Sequence, residues 1–447
     1  MVRFVGWWIV MTTGNVLKSI IRFAIPCIGT RVIQNLYPLI DAVIAGKLLN
    51  VESLSAVGVA GSVYSLFNDT LLGLMAGFAV VASKKFGAKE ENEVRAVYSD
   101  SLWVSVLCCV ITSLIGIVFS GSILSVLKTP ADIMVYGKQY LFVLFLGFLS
   151  NALYNFFCEM MRALGDSKRP LYLLIASSVL HFLLIAPLTY AFGIYGAALA
   201  NVLSYILTDI WAVMMMRNQF PLFRVRLSKI ALQRRIVKEC ISIGLPMALT
   251  SLVVMMGVLL LNLVTNTIGA DYIAAYSAAS KIGYVITTPI FGFATALAVF
   301  TSQNFGAKRY NRIQEGIRKT LKLVWLIDGA LLVLVMLLCK PILQFILSGN
   351  QTAIQAGIVY LAVRCCAMFI LTPAAFYKSL LPAVGRPLFS TVSGFVEIGA
   401  RYAFPLCAAG LGFISVPLTD AVAWIVLAVM LVLAYRYEFK KIRKGTV

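Results

Sequence analysis

Charged side chains are scarce in this chain of 447 residues. Asp, Glu, Lys and Arg fill only 13% of the positions, whereas hydrophobic residues fill 61% and the mean hydropathy is +0.92. A soluble domain carries about 25% charged residues, so about half of the charge that would coat a water-facing surface is missing. The composition excludes an ordinary soluble domain and indicates a protein whose main solvent is lipid.

The residues that build metal and redox sites are also in short supply. The chain has a single histidine, His181, and its nine cysteines show no CxxC spacing. An odd number of cysteines also argues against a framework of disulfide bonds. We expect free thiols packed as small apolar side chains, with no zinc, redox or organic cofactor.

Acidic residues are outnumbered by basic ones, 18 to 38, which gives a formal net charge of +20. The basic residues are concentrated in alternate connections between apolar runs, and the intervening connections contain almost none. Short basic loops stay on the cytoplasmic side of a membrane, so we expect both termini in the cytoplasm. Topology then accounts for the positive charge, and no nucleic-acid partner is expected.

Twelve apolar runs are long enough to span a bilayer, which takes about 20 residues. The first six cover 20–46, 53–82, 96–120, 133–162, 170–191 and 195–216. The other six cover 241–267, 272–302, 318–339, 353–381, 388–410 and 413–435. Residues 1–10 lack the small-residue cleavage site of a signal peptide, and the stretch from Met11 also fits a chain start. The pattern predicts a multi-pass protein of the cytoplasmic membrane.

An internal repeat divides these runs into two halves. When the sequence is shifted by 219 residues, Ala79–Lys89 superimposes on Ala298–Lys308 with seven of eleven positions identical. We predict an N-terminal six-helix lobe at 1–216, a basic cytoplasmic linker at 217–240 and a C-terminal six-helix lobe at 241–447. Because each copy contains an even number of spans, the two copies are predicted to have the same orientation in the membrane. Transporters built from parallel repeats bind substrate between the halves and alternate access to it.

Several short motifs follow one another along the chain. They are Ile25-Pro26, Phe86-Gly87-Ala88-Lys89, Gly193-Ile194-Tyr195-Gly196, Gly244-Leu245-Pro246 and Gln303-Asn304-Phe305-Gly306. In this order and spacing they resemble the multidrug and toxic compound extrusion (MATE) family. The resemblance implies an all-α polytopic membrane protein, with twelve transmembrane helices in two parallel six-helix bundles around a V-shaped cleft. It also implies export of drugs and other organic cations in exchange for Na⁺ or H⁺.

The same resemblance places a cation site at Asp41, in the first helix, with Na⁺ as the one metal ion that would bind there. The chain departs from other members because 252–257 contains no acid, and 171–191 contains only His181 as an ionisable group apart from tyrosines. We therefore expect a non-standard ligand set in the first half, since an ionisable group inside a membrane suggests function. Helix capping, interhelical hydrogen bonding and core packing are the structural alternatives. The candidate cation ligands are Asp41, Asn68, Asp69, His181, Asn201 and Asp209.

A cavity for organic cations would be lined by aromatic and methionine side chains, through cation–π contacts and adaptable packing. The candidates are Tyr37, Tyr64, Phe67, Tyr154, Met255, Met256, Lys281, Tyr284 and Phe291, and ordinary packing is the alternative for each. In the second half, Glu397 and Arg401 are spaced to pair on one helical face, and we expect Lys281 to pair with an acid of another helix. The alternative for these cations is a cavity that accepts an anion.

The predicted function is cation-coupled export of small organic, cationic molecules by a monomer embedded in the lipid bilayer. The nearest alternative is a flippase for lipid-linked oligosaccharides of the same superfamily, whose phosphate would need basic residues such as Arg31, Lys281 and Arg364. An intramembrane enzyme is a third alternative. The sequence offers no nucleophile motif or metal-ligand spacing for one, so we do not expect an enzyme.

Overall fold

The regular structure of the chain is helical. The computed structural model describes residues 10–224, 232–265, 270–347 and 349–443, without the side chains of 36–45, 258–265, 270, 406, 409, 411 and 443. The α-helices of these residues are α1 (Val16–Leu48), α2 (Val51–Gly87), α3 (Glu91–Val126), α4 (Ala131–Leu146), α5 (Phe148–Ala163), α6 (Lys168–Phe192), α7 (Ile194–Gln219), α8 (Arg234–Thr265), α9 (Ala270–Gly306), α10 (Tyr310–Ile346), α11 (Gln351–Ala383), α12 (Leu388–Cys407) and α13 (Ser415–Arg443). Two 3₁₀ helices, Pro221–Phe223 and Ala409–Ile414, complete the described part, which contains no β-strand. The predicted all-α class is confirmed.

The helices of the described residues match the predicted number of spans. Nine are long and apolar enough to cross a membrane, or ten when α4 and α5 count as one bent span. Helices α1 (33 residues) and α12 (20 residues) are also long enough to cross a bilayer, which brings the number of elements of sufficient length to twelve. Many apolar side chains of α3 and α10 are strongly exposed, including Val118, Leu326 and Leu337. Lipid is the solvent that suits such surfaces, since a soluble protein seldom exposes large apolar patches.

The predicted span at 133–162 is broken in the structure. Helices α4 and α5 meet at Gly147 with a bend of 51°. A Cβ at Gly147 would lie 2.2 Å from Val202 Cγ2 of α7, so glycine alone permits this close approach. Sharp kinks occur at such small residues, whereas the apolar run through Gly147 is continuous and predicts an unbroken helix.

Two compact units make up the described chain. Unit 1 contains Gly29–Ala248, where α2 packs against α3, α4 and α5, and α6 packs against α7. Unit 2 contains Met11–Ile28 and the chain from Leu249 onward, where α11 packs against α9, α10 and α13. The predicted lobe boundaries stay predictions. Helix α8 begins at Arg234, inside the predicted linker, of which residues 225–231 lie outside the described chain.

The first parts of α1 and α8 each pack within one unit against a glycine. In unit 1, a Cβ at Gly77 of α2 would lie 2.3 Å from Gly244 Cα of α8. In unit 2, a Cβ at Gly292 of α9 would lie 2.4 Å from Ile28 Cγ1 of α1. Small residues let membrane helices approach closely, and van der Waals packing then supplies the attraction. The two repeats thus use the same kind of contact.

Candidate functional site

Four polar side chains of α2 and α5 form a connected amide network inside unit 1. Asn151 Nδ2 donates to Tyr64 Oη at 2.7 Å and to Asn68 Oδ1 at 3.0 Å. Asn155 Nδ2 donates to Asn68 Oδ1 at 3.3 Å and to Asn151 Oδ1 at 2.9 Å. Tyr64 and Asn68 are one turn apart on α2, as Asn151 and Asn155 are on α5. Each helix therefore presents one polar face to the other.

Asp69 adds a carboxylate to the amide network. Its Oδ1 accepts a hydrogen bond from Asn68 Nδ2 at 3.2 Å, and Arg31 of α1 interacts with it electrostatically. The side chain is half-buried. Hard cations such as Na⁺ prefer oxygen ligands of this kind, and a carboxylate also exchanges protons. The network therefore has the chemistry to bind Na⁺ or to exchange a proton.

Asp209 of α7 approaches α5 about one turn beyond the amide network, since it interacts electrostatically with Cys158, three residues after Asn155. Only 9% of Asp209 is exposed. Its Oδ1 has no hydrogen-bond partner in the described part of the chain. Burying an unpaired carboxylate is costly, so this position suits a group that exchanges a cation better than one that only packs.

Two predicted residues of α1 cannot be placed in the site. Asp41 and Tyr37 lie on the helix, but their side chains fall outside the described residues. The predicted Asp41 site therefore stays a prediction. Elsewhere in the described chain, no group of three or more His, Cys, Asp or Glu side chains is arranged to hold a metal ion.

The remaining predicted cation ligands lie on helices other than α2 and α5. His181 is buried in α6. Asn201 is half-buried on α7, which packs against α6, and its carbonyl oxygen accepts a hydrogen bond from Ser204 Oγ at 2.7 Å. Their roles as cation ligands stay predictions.

The predicted cavity aromatics of unit 1 differ in how they are packed. Tyr64 and Phe67 are half-buried, and the Phe67 ring meets Phe145 edge-on at a centroid distance of 5.3 Å. Tyr154 is buried and its ring centroid lies 5.2 Å from that of Tyr205 on α7. Tyr64 thus belongs to the amide network, whereas Tyr154 belongs to the core.

The predicted cavity residues of unit 2 are mostly exposed. Met256, Lys281, Tyr284 and Phe291 are exposed, and Met255 is half-buried. No acid of the described side chains lies within 4.0 Å of the Lys281 ammonium group, so the expected ion pair of Lys281 stays a prediction. Glu397 and Asp420 are paired with other cations, and Asp328 of the neighbouring helix α10 accepts a hydrogen bond from Thr372 Oγ1 at 2.6 Å.

Five side chains of α11, α12 and α13 form a charge chain inside unit 2. Lys378 Nζ lies 3.1 Å from Glu397 Oε2, and Glu397 Oε1 lies 3.1 Å from Arg401 Nη2. Arg401 Nη2 lies 3.1 Å from Asp420 Oδ1, and Asp420 Oδ2 lies 2.8 Å from Arg364 Nη1. The pairing of Glu397 with Arg401 follows their predicted spacing. The signs alternate along the chain, so each acid lies between two cations.

Arg364 ends the charge chain in an aromatic enclosure. Its Cζ lies 5.2 Å from the ring centroid of Trp424, 5.8 Å from that of Tyr284 and 5.9 Å from that of Tyr360. A Cβ at Gly283 would lie 2.5 Å from Arg364 Nε. Cation–π attraction is strong for a desolvated guanidinium. This arginine therefore joins α9, α11 and α13, and its charge is used within unit 2.

Sequence reasoning missed Asn151 and Asn155. Their spacing could have revealed them, because two amides four residues apart in an apolar helix lie on the same face of that helix. Tyr64 and Asn68 repeat the same spacing on α2. Such a pair on each of two helices predicts a hydrogen-bonded contact only when the helices are known to be neighbours.

Comparison with known proteins identifies the family. The model of the MatE family matches residues 26–186 and 246–405, more than half of the chain. The probable multidrug resistance protein YoeA of Bacillus subtilis (strain 168) is 25% identical over 395 residues, which cover 86% of this chain and 85% of that protein.

Solved structures agree in fold. The outward-facing conformation of a multidrug resistance MATE family transporter superimposes with a TM-score of 0.89 at 22% identity and covers 98% of both chains. A MOP superfamily transporter from Pyrococcus furiosus, described by the reverse polarity of its binding pocket, has a TM-score of 0.89 at 21% identity and covers 97% of this chain and 98% of its own. These proteins are transporters rather than enzymes, in agreement with the predicted class. Because the family model matches both repeats, the chain belongs to the MATE family of multidrug efflux transporters.

Proposed function

We propose that this protein is an antiporter that exports small organic cations across the cytoplasmic membrane by alternating access, driven by inward movement of H⁺ or Na⁺. The observation that carries the proposal is the set of oxygen ligands in unit 1: Asp69 with the amide network, and Asp209 with its unpartnered oxygen. Antiport needs a group that binds the coupling cation and the substrate at different times. A poorly hydrated carboxylate is such a group, because cations and protons compete for it.

The substrate class is supported by two further observations. The Bacillus relative is a probable multidrug resistance protein, which favours drug-like molecules. Exposed apolar and aromatic side chains such as Met256, Tyr284 and Phe291 can adapt to differently shaped cations. We place both termini in the cytoplasm, on the basis of the basic connections.

The test is transport by purified protein in proteoliposomes. A pH gradient alone and a sodium gradient alone are applied to vesicles loaded with a cationic, a neutral or an anionic dye. We expect one of the gradients to drive movement of the cationic dye. Asp41→Asn, Asp69→Asn and Asp209→Asn should each lower the coupled rate by about tenfold or more, as losses of an essential proton-transfer or cation-binding group do.

The matched control is Asp132→Asn, which removes an exposed carboxylate at the start of α4. It should transport at the rate of the unmodified protein. Dye movement that depends on neither gradient would rule out the proposal, and so would full coupled rates in all three carboxylate variants.

The charge chain weakens the flippase alternative. That alternative needs free cations for a phosphate, but Arg364 is paired with Asp420 and Arg31 interacts with Asp69. Of its three cations, Lys281 alone is exposed without an acid beside it in the described chain. One lysine is a poor site for a diphosphate, which is commonly bound by several donors.

A further inference from the structure

The turn between α9 and α10 carries a basic cavity that the proposed transport does not use. The cavity has a volume of about 460 Å³ and is lined by Lys308, Arg309, Tyr310, Asn311 and Arg312. Lys308 and Arg309 are exposed, and Arg312 is half-buried. The turn belongs to unit 2, close to the segment that precedes α1.

The arginines of this turn donate hydrogen bonds to backbone carbonyl groups. Arg309 Nη1 donates to Thr12 O at 2.5 Å, and Arg312 donates from Nη2 to Thr13 O at 2.7 Å and from Nη1 to Gly14 O at 2.8 Å. Carbonyl oxygens satisfy the N–H groups but carry no net charge. The cavity therefore stays cationic while its arginines are held in place.

The stretch that follows the turn adds further positive charge. Residues 308–322 contain six basic residues and one acid, Glu315. Glu315 Oε1 accepts a hydrogen bond from Lys319 Nζ at 2.6 Å, four residues further on. Glu315 also interacts electrostatically with Arg312, but one acid offsets only one of the six positive charges.

The equivalent turn of unit 1 has the opposite charge and supplies an internal comparison. At the repeat shift of 219, residues 89–103 correspond to 308–322, and they contain two basic residues and four acids. The acids of this turn have protein cations beside them. Glu93 accepts from Arg235 Nη2 at 2.6 Å, and Lys85 Nζ lies 3.2 Å from Glu90 and 3.3 Å from Glu93. The same position in the repeat is neutralised by the protein in unit 1 and left cationic in unit 2.

Helix α10 continues from the basic stretch into an apolar surface. Trp325 and Leu326 follow within a turn of Lys322, and Leu326 is 73% exposed. Val333 and Leu337 extend the exposed apolar surface along the helix. A phospholipid has the same order of groups, with a charged headgroup followed by acyl chains. Basic pockets beside membrane helices recognise anionic headgroups, whereas a free phosphate would leave the apolar surface unused.

We propose that the α9–α10 turn of unit 2 binds the headgroup of an anionic phospholipid. Lys308, Arg309 and Arg312 surround the phosphate, and the exposed apolar surface of α10 contacts the acyl chains. The bound anion also offsets the mutual repulsion of the arginines that hold residues 11–14.

The test compares two equivalent lysines. Lys308 and Lys89 both have a left-handed backbone, with φ of 57° and 64°, which asparagine tolerates. Lys308→Asn and Lys89→Asn therefore each remove one charge from a turn of the same shape. The purified full-length proteins are titrated with phosphatidylglycerol, and bound lipid is counted by native mass spectrometry.

We expect Lys308→Asn to weaken phosphatidylglycerol binding by about fivefold, the effect of one basic residue at an anionic surface, and Lys89→Asn to leave it unchanged. Lys322→Gln, on the exposed side of α10 and outside the turn, should weaken it similarly and covers the case in which the first variant misfolds. Equal effects at both lysines, or none at Lys308 and Lys322, would overturn the site.

Two competing molecules distinguish a lipid headgroup from a free phosphate as the bound anion. Phosphatidylcholine has the phosphate and the acyl chains without the net negative charge, and glycerol phosphate has the charge without the chains. We expect neither to compete with phosphatidylglycerol at matched concentration. Competition by the first would show that the site does not require a net negative charge, and competition by the second would show a free-anion site; either result excludes the proposed anionic lipid headgroup.

Discussion

At the scale of single residues, two buried acids, Asp209 and Asp420, differ in their surroundings. Asp209 in unit 1 has an oxygen without a hydrogen-bond partner among the described residues, whereas Asp420 in unit 2 lies between Arg364 and Arg401. Burying a charge is costly unless a partner offsets the loss of water. The first acid is therefore expected to matter for transport and the second for folding, and the two substitutions below distinguish these roles.

Asp209→Asn should lower coupled transport without lowering stability. Asparagine keeps the shape of the side chain and removes a charge whose burial is not offset, so the melting temperature should stay equal or rise. The measurement is thermal unfolding of the purified protein beside dye transport in vesicles. A lower melting temperature with normal transport would show that Asp209 is a structural residue.

Asp420→Asn should destabilise the protein. It leaves two buried guanidinium groups beside a neutral amide, and removing one member of a buried ion network costs about 3–5 kcal/mol. The melting temperature should fall by several degrees. Asp271→Asn is the control, since this exposed acid accepts a hydrogen bond from Asn350 at the surface and should change stability by less than about 1 kcal/mol. Equal melting temperatures for the two variants would contradict the assigned role of the charge chain.

At the scale of helices, close approach at glycines determines which elements touch. Gly77 and Gly244 bring the backbones of α2 and α8 together, and Gly147 admits Val202 at the bend between α4 and α5. In a membrane the hydrophobic effect does not drive helices together, so packing at such positions supplies much of the attraction. A single methyl group at one of these glycines should therefore have a large effect.

Gly77→Ala should destabilise unit 1. The added Cβ would lie 2.3 Å from Gly244 Cα, and a backbone atom cannot move aside cheaply, so overpacking should cost about 1–3 kcal/mol. Gly61→Ala is the matched control on the same helix, because nothing lies within 4 Å of its added Cβ and alanine favours helix by about 0.5–1 kcal/mol. Thermal unfolding of both variants gives the comparison. A stable Gly77→Ala protein would mean that α2 and α8 are further apart than described.

At the scale of the whole molecule, the charge of the connections predicts orientation in the membrane. The connections that contain Lys89 and Lys308 each hold several lysines and arginines, whereas the connection that contains Lys128 holds few. The predicted parallel repeat would place equivalent turns on the same side of the membrane. Orientation is therefore a property of the whole chain, which no single helix determines.

Cysteine labelling should place these turns on opposite sides of the membrane. Single cysteines at Lys89, Lys128 or Lys308, in a chain whose own cysteines are replaced, are treated with a membrane-impermeant maleimide. We expect labelling at 89 and 308 only in inverted vesicles, and labelling at 128 only in intact spheroplasts. Labelling of 89 and 308 from opposite sides would show that the repeats are inverted relative to each other.

The sequence by itself determined the membrane class, the all-α fold, the number of spans and the family. These follow from the length of apolar runs, from self-similarity and from the order of motifs, which are properties of the linear chain. Asp69 and Asp209 were also predicted from sequence, because an acid in an apolar run is conspicuous wherever its helix points.

Only the tertiary structure decided which polar groups meet. Asn151 and Asn155 bond to Tyr64 and Asn68 across more than 80 residues of sequence, and none of the described acids lies within 4.0 Å of Lys281, where an ion pair was expected. Hydropathy and spacing show which residues share a helical face. They do not show how each helix is rotated toward its neighbours, and this rotation determines whether a buried charge meets a partner, an amide or nothing.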